Sequence, residues 1–226
     1  MDSPSNSAER KEAFLAEIRQ KEIEMFPQVS DLGYGSTGSK GCYIYFKPSW
    51  HIDKGIFSEV DLEVFKENTD KQILSIGAGP ALLEQLLVEL GMESDQFTLA
   101  DIDPNVLPPP FTRYIFDRYQ IWPQITKAPF DLIIMPENPM VVYHTVKKNS
   151  IRVSLSVFYS LIEQALINLK PEGEIRMTGV AIEQENLDLV EKQLTENGYD
   201  IEIINADKRV SNCTLITIRY RKTDIY

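Results

Sequence analysis

Three observations predict an α/β protein built on a doubly wound sheet of about seven mostly parallel strands. From Lys71 onward, short apolar runs alternate with amphipathic stretches, as parallel strands covered on both faces by helices require. The first of those runs leads through a glycine turn, Gly77-Ala78-Gly79-Pro80, into a helix-like stretch. The last two runs, 201–205 and 214–220, have no helical stretch between them and so predict an antiparallel hairpin at one edge. The chain of 226 residues suits one domain with an extension, not two independent domains. The expected division is an N-terminal helical extension with a flexible Gly/Ser loop over 1–70, and the sheet domain over 71–226.

The elements follow in order. Ser7 to Met25 predicts an amphipathic helix, with Phe14, Leu15, Ile18, Glu22 and Met25 along one mainly apolar stripe and Pro27 beyond its end. Gly33 to Gly41 reads as a flexible loop, and Cys42 to Phe46 as a short strand. Phe57 to Asn68 predicts a helix, because Ser58 and Asp61 stand at the spacing of an N-terminal capping pair. Gln72 to Ile76 is the first sheet strand, and Ala81 to Leu90 a helix closed by Gly91. Gln96 to Ala100 is the second strand and ends at Asp101. A connection containing Pro104, Pro108, Pro109 and Pro110 follows. Arg113 to Phe116 is a third strand. Leu132 to Met135 is a fourth, apolar throughout and therefore covered on both faces, and Pro136 and Pro139 end it. Leu155 to Leu169 predicts an apolar helix, Glu174 to Thr178 a fifth strand, and Asn186 to Asn197 a helix with Gly198 at its end.

Composition narrows the function. Apolar residues at 43% and charged residues at 25% describe a soluble globular chain. No apolar run approaches the roughly 20 residues of a membrane helix, so no membrane-spanning role is expected. The N-terminus is polar and lacks the apolar core of a secretory signal. Cys42 and Cys213 cannot make a disulfide framework or a zinc site unaided, so no metal is expected and a reducing cytoplasm is the simplest home. With 23 basic and 34 acidic residues, the formal charge of −11 repels nucleic-acid phosphate on average. A small-molecule or protein partner is expected instead, and the oligomeric state is left open.

The stretch from Ile73 to Glu84 carries the chemistry. Glycines let a ligand approach the backbone without meeting a Cβ, and the following helix N-terminus offers unpaired N–H groups. About twenty residues on, the second strand ends in Asp101, the spacing at which open α/β sheets grip ribose hydroxyls. The turn is not a dinucleotide G-x-G-x-x-G, because position 82 is Leu, nor a triphosphate loop, which needs Lys after its last glycine. The pattern predicts a nucleoside site without a diphosphate cradle.

These motifs, taken in order, resemble the class I (Rossmann-like) S-adenosylmethionine-dependent methyltransferase superfamily over roughly Lys71 to Tyr220. Leu74 to Ala81 looks like its first motif, and Ala100-Asp101-Ile102-Asp103-Pro104 its second, whose acid binds the ribose hydroxyls. Phe116-Asp117 stands where the family places an acid near the adenine amino group. Phe130 to Ile134 is similar to its fourth strand, Leu169 to Ile175 to its L-x-P-G-G turn, and Leu194 to Tyr199 to its run into the sixth strand. The resemblance implies S-adenosylmethionine as cofactor, held by Ser75, Gly77, Ala78, Gly79, Asp101, Ile102 and Asp117. Two positions depart from the pattern: Ser75, where the family often has an acid, and Ala81, where it has a third glycine.

The resemblance also implies in-line displacement at the cofactor's methyl, where alignment and desolvation carry most of the rate. The loop after strand four supplies the candidate acceptor-side residues. Asn138-Pro139 resembles part of the N-P-P-aromatic motif of amino methyltransferases. Glu137 is a candidate base, and His144 a candidate proton acceptor because its ordinary pKa lies near neutrality. Tyr34 with the Gly/Ser stretch is a candidate lid, and Trp50, His51 and Trp122 are candidate pocket liners. Two alternatives stay open. One is a non-catalytic or regulatory protein on a degenerate version of this fold. The other is transfer of a different sulfonium-derived group, aminocarboxypropyl or aminopropyl.

Overall fold

The computed structural model describes residues 4–29, 34–38, 41–45, 47–101, 108–115, 122–126, 129–136, 155–178, 184–205 and 214–221. Its centre is a seven-stranded sheet: β3 (Ile73–Ile76), β4 (Phe97–Asp101), β5 (Thr112–Ile115), β6 (Phe130–Met135), β7 (Leu169–Met177), β8 (Tyr199–Asn205) and β9 (Thr214–Tyr220). The spatial order is β5-β4-β3-β6-β7-β9-β8. The first five strands run parallel, and β9 pairs antiparallel with both β7 and β8. The expected sheet of seven strands with an antiparallel edge is what forms. The order reverses beside β3, so the turn after β3 sits at a topological switch point, where such sheets bind ligands.

Alternation along the strands divides the core between two faces. Leu74, Ile76, Ala100, Ile133 and Ile175 pack with Phe158, Leu161 and Ile162 of α5 (Leu155–Ile167) and Val190 and Leu194 of α6 (Gln184–Glu196). Ile73, Phe97, Leu99, Leu132 and Ile134 face the other way. They meet α1 (Pro4–Met25), α2 (Pro48–Asp53), α3 (Glu59–Glu67) and α4 (Leu82–Glu89) through residues such as Leu15, Ile18, Ile52, Phe65 and Leu86. The N-terminal helices therefore share one face of the core with α4. Each large side chain buried there contributes roughly 1.5–3 kcal/mol of transfer free energy.

Three local readings are corrected. The Gly/Ser stretch is not a flexible loop: β1 (Tyr34–Gly38) and β2 (Gly41–Tyr45) pair antiparallel, from Tyr34 opposite Tyr45 to Gly38 opposite Gly41. Its composition favours loops, but it leads into an apolar run, and a two-residue connection suffices for a hairpin. Trp50 and His51 lie on α2, a helix the sequence reading missed. His51 is buried, and its ring packs edge-on against Trp50 with centroids 5.1 Å apart. Burial lowers the His51 pKa to about 3, so the imidazole is a neutral core residue. Trp122 likewise packs against the α5 face of the core.

The third correction concerns β7, which begins at Leu169 and not at Glu174. Phe130 pairs with Leu169 and Leu132 with Glu174, so the register shift absorbs the Lys170 to Gly173 stretch. Glycine is required there. A Cβ on Gly173 would stand 2.8 Å from the Asp131 carbonyl oxygen and 2.7 Å from Leu169 Cδ1.

Ion pairs tie α3 to β7 and β7 to β6. Ser58 caps α3 in a reciprocal capping box with Asp61. Asp61 also receives a bidentate Arg176 from β7, at 2.6 and 3.0 Å, and Arg176 reaches Glu174 at 2.7 Å. Burial opposes ionisation of Asp61, but Arg176 and Ser58 outweigh it and hold the carboxyl below its ordinary range. Nearby, Asp131 accepts from Lys170 at 2.7 Å, Lys71 at 3.5 Å and the Gln72 N–H at 2.8 Å.

Candidate functional site

The site forms at the carboxyl ends of β3 and β4. Ser75 points to the α4 face, two residues after Ile73, and Leu99 is its register partner across the strands. Asp101 is two residues beyond Leu99, so alternation brings it to the same face. Between the strands and α4 runs the glycine turn. Gly77 and Gly79 have φ of +74° and +54°, in the left-handed region that glycine enters without cost. Ala81, the N-cap of α4, is also left-handed at φ +54°. For a residue with a Cβ that conformation costs roughly 1–2 kcal/mol. A third glycine would relieve it, which gives the departure at position 81 a physical meaning.

The turn is fastened to β4 by three hydrogen bonds. The Gly77 N–H donates to the Ala100 carbonyl at 2.7 Å, and the Ala78 N–H to the same oxygen at 3.5 Å. The Gly79 N–H donates to Asp101 Oδ2 at 2.8 Å. Gly77, Ala78 and Pro80 stay partly exposed, while Gly79 is buried. Asp101 is 6% exposed.

A residue not singled out from the sequence completes the cluster. Glu84 in the first turn of α4 is 1% exposed and lies against Ser75, which is fully buried. Burial pushes the Glu84 pKa up to about 7; Ser75 and its own backbone N–H work against the rise, and the charge of Asp101 adds to it. Ser75 Oγ lies near enough to favour the Glu84 carboxylate, yet the two make no hydrogen bond of ordinary geometry. Among the described residues, neither Ser75 Oγ nor Glu84 Oε1 has a hydrogen-bond partner. The sequence did hold a signal. Glu84 falls three residues after buried Ala81 and three before buried Leu87, on the apolar stripe of an otherwise apolar helix.

The structure thus brings together Ser75, Gly77, Ala78, Gly79 and Asp101. The candidates Ile102, Asp117, Glu137, Asn138 and His144 lie outside the described residues. Tyr34 belongs to the β1–β2 hairpin. Among the described residues there is no cluster of three potential metal ligands and no helix long and apolar enough to cross a membrane. A separate cleft of about 450 Å³ lies beside β6 and β7, lined by Asp61, Lys71, Asp131, Lys170, Glu174 and Arg176. These charged groups pair with one another, so size alone does not make it a site.

The donor set suits a nucleoside sugar. A carboxylate stands at the strand end where hydroxyls can donate to it, and partly uncovered backbone lies at Gly77 and Ala78. It does not suit a diphosphate, because residues 77–81 carry no cationic side chain.

No protein-family model matches the chain, and no curated protein matches it. Solved structures do. One from Pyrococcus horikoshii, provisionally described as an RNA methyltransferase, is 13% identical, with 91% of this chain and 98% of that chain covered and a TM-score of 0.50. A glycopeptide N-methyltransferase complexed with sinefungin is 11% identical over 83% of this chain and 100% of that one, with a TM-score of 0.48. A ribosomal protein L11 methylase from Lactobacillus delbrueckii subsp. bulgaricus is 16% identical over 72% and 78%, with a TM-score of 0.44. At such identities the likeness is one of fold. The chain has the Rossmann-like fold found in methyltransferases.

Proposed function

We propose that this protein is an S-adenosylmethionine-dependent methyltransferase acting on a small-molecule or protein acceptor. The observation that carries the reading is the coupling of Asp101 to the glycine turn through the 2.8 Å bond from Gly79, at the topological switch point of the sheet. Asp101 would accept from the sugar hydroxyls while keeping the turn in place. Gly77 and Ala78 would let the nucleoside lie against their backbone. Ile102 and Asp117 would complete the nucleoside pocket by resemblance to the family. When bound, the sulfonium group supplies an activated methyl for in-line attack. The protein's share of the work is to align the acceptor and exclude water. Glu137, Asn138 and His144 are the proposed acceptor-side residues, with Glu137 or His144 taking the proton of a hydroxyl or thiol acceptor and Asn138 orienting an amine.

The charge of −11 supports a small or proteinaceous acceptor over nucleic acid. The two cysteines suit a cytoplasmic setting. One observation favours a non-catalytic protein on the same fold: Ser75 puts no carboxylate on β3. The discriminating experiment is calorimetric titration with S-adenosylmethionine and S-adenosylhomocysteine, on the wild type and on Asp101→Ala. Micromolar binding that weakens at least tenfold in the variant supports the enzyme reading. Absence of binding up to millimolar ligand contradicts it.

A further inference from the structure

The buried pair of Ser75 and Glu84 is unused by the function proposed above. It lies directly beneath the turn that would carry the nucleoside. Strand alternation sends Ser75 and Asp101 to the α4 face, and the first turn of α4 sends Glu84 back toward them. The result is a cluster of two carboxyl groups and one hydroxyl, all buried, in which Asp101 is fastened to the turn by the bond it accepts from the Gly79 N–H.

We propose that Glu84 is the charge-sensing acid of this site: it gives up a proton when a cationic sulfonium nucleoside occupies the glycine turn, and keeps it when the uncharged thioether product does. The inference rests on the nucleoside reading of the turn.

The two ligands differ by one positive charge at sulfur, carried by the sulfonium and absent from the thioether. A buried carboxyl near its tipping point responds to such a charge, because the water that would screen it is excluded. Glu84 stands at that point, with a pKa raised to about 7 chiefly by burial. Among the described residues, the groups around it come from the neighbouring elements. From β3 comes the neutral Ser75, and from β4 the anionic Asp101, which disfavours a second negative charge. From α1, Lys21 pairs with Glu89 at the far end of α4 at 3.5 Å, and Glu22 is bound to Ser49 of α2 at 2.7 Å. From α2, His51 is buried and uncharged near neutrality. The proton leaves as Glu84 O–H to a buffer base, and the carboxylate left behind balances the sulfonium.

Linkage fixes the consequences. If the ligand lowers the Glu84 pKa, then raising the pH must tighten the ligand. For a lowering of one unit, the sulfonium nucleoside binds roughly fivefold tighter at pH 8 than at pH 6, whereas the thioether shows no such gain. The site would thereby favour substrate over product more strongly as pH rises.

The test is calorimetry at pH 7 in two buffers of different ionisation enthalpy, with S-adenosylmethionine and S-adenosylhomocysteine, on the wild type and on Glu84→Gln. The expected result is release of roughly 0.4 proton per S-adenosylmethionine by the wild type, close to none for S-adenosylhomocysteine, and loss of the difference in the variant. The wild-type affinity ratio between pH 6 and pH 8 provides a readout that needs no variant. Binding of both ligands with equal proton release, or with release unchanged in Glu84→Gln, overturns the role of Glu84 and leaves the nucleoside site standing. Failure of the wild type to bind either ligand overturns the nucleoside reading, and this inference with it.

Discussion

Along β6 and β7, Arg176 closes on Asp61 and Glu174, and Lys170 and Lys71 close on Asp131. At the carboxyl ends of β3 and β4, Ser75 Oγ and Glu84 Oε1 are buried without a hydrogen-bond partner among the described residues. Both regions take charged or polar groups out of water, which costs several kcal/mol per unpaired ion. The first region offsets that cost inside the protein and reads as architecture. The second offsets it only in part, through Ser75 and the Glu84 N–H, and partly offset burial is where a ligand has something to supply. The cleft of about 450 Å³ belongs to the first region.

The largest expected effect breaks the first region alone. Arg176→Met leaves Asp61 without its cation in a mostly buried setting, while Glu174 keeps Arg219 at 2.8 Å, and should cost about 3 kcal/mol or more in urea unfolding. Nucleoside affinity should stay within about twofold of the wild type.

Glu84→Gln probes the second region and carries a sign. The folded-state pKa of Glu84 is raised from 4.5 to about 7. Its contribution to stability is therefore complete below pH 4.5 and lost as pH rises through 7. Glutamine has no charge to bury, so the variant should be more stable than the wild type at pH 8, by about 2–3 kcal/mol. His51 has the opposite slope. Its pKa falls from 6.5 to about 3, so its contribution is complete above pH 6.5 and lost as pH falls toward 3. The two slopes oppose each other between pH 4.5 and 6.5. Thermal melts of Glu84→Gln across that window should reveal the acid-side loss that the wild type masks.

Two smaller effects sharpen the account of the ion-paired region. Gly173→Ala places a methyl against the Asp131 carbonyl oxygen, and overpacking of that kind costs about 1–3 kcal/mol, read as a lowered urea midpoint. Lys170→Ala should cost only about 0.5 kcal/mol. Its side chain is 36% exposed, and Asp131 keeps Lys71 and the Gln72 N–H.

The fold was legible where periodicity and turn chemistry agree. Ile73 to Ile76, the turn at Gly77, the apolar run of β6 and the pair of terminal strands each carry a local pattern that tertiary contacts do not override. Three features were hidden for physical reasons. Tyr34 to Gly38 looks like a loop because strand pairing there depends on a partner, β2, more than on side-chain type. The six-residue α2 is too short for periodicity to register. The start of β7 at Leu169 lies behind Pro171 and Gly173, which read as a turn and act as an irregularity in the ladder. In the site, Asp101 was legible because its distance from the glycine turn is a covalent property of a strand–turn–helix–strand unit. Glu84 was not, because an acid in the first turn of a helix ordinarily faces water and interacts with the helix dipole. Only the packing of α4 on Ser75 shows that this one is buried.

Hydrogen exchange followed by mass spectrometry, with and without S-adenosylhomocysteine, compares both regions in one experiment. The account predicts ligand-dependent protection of the amides from Gly77 to Glu84 and at Asp101, with the Leu169 to Arg176 segment unchanged. Protection confined to Leu169 to Arg176, or none anywhere at saturating ligand, would contradict the assignment of the nucleoside site to the carboxyl ends of β3 and β4.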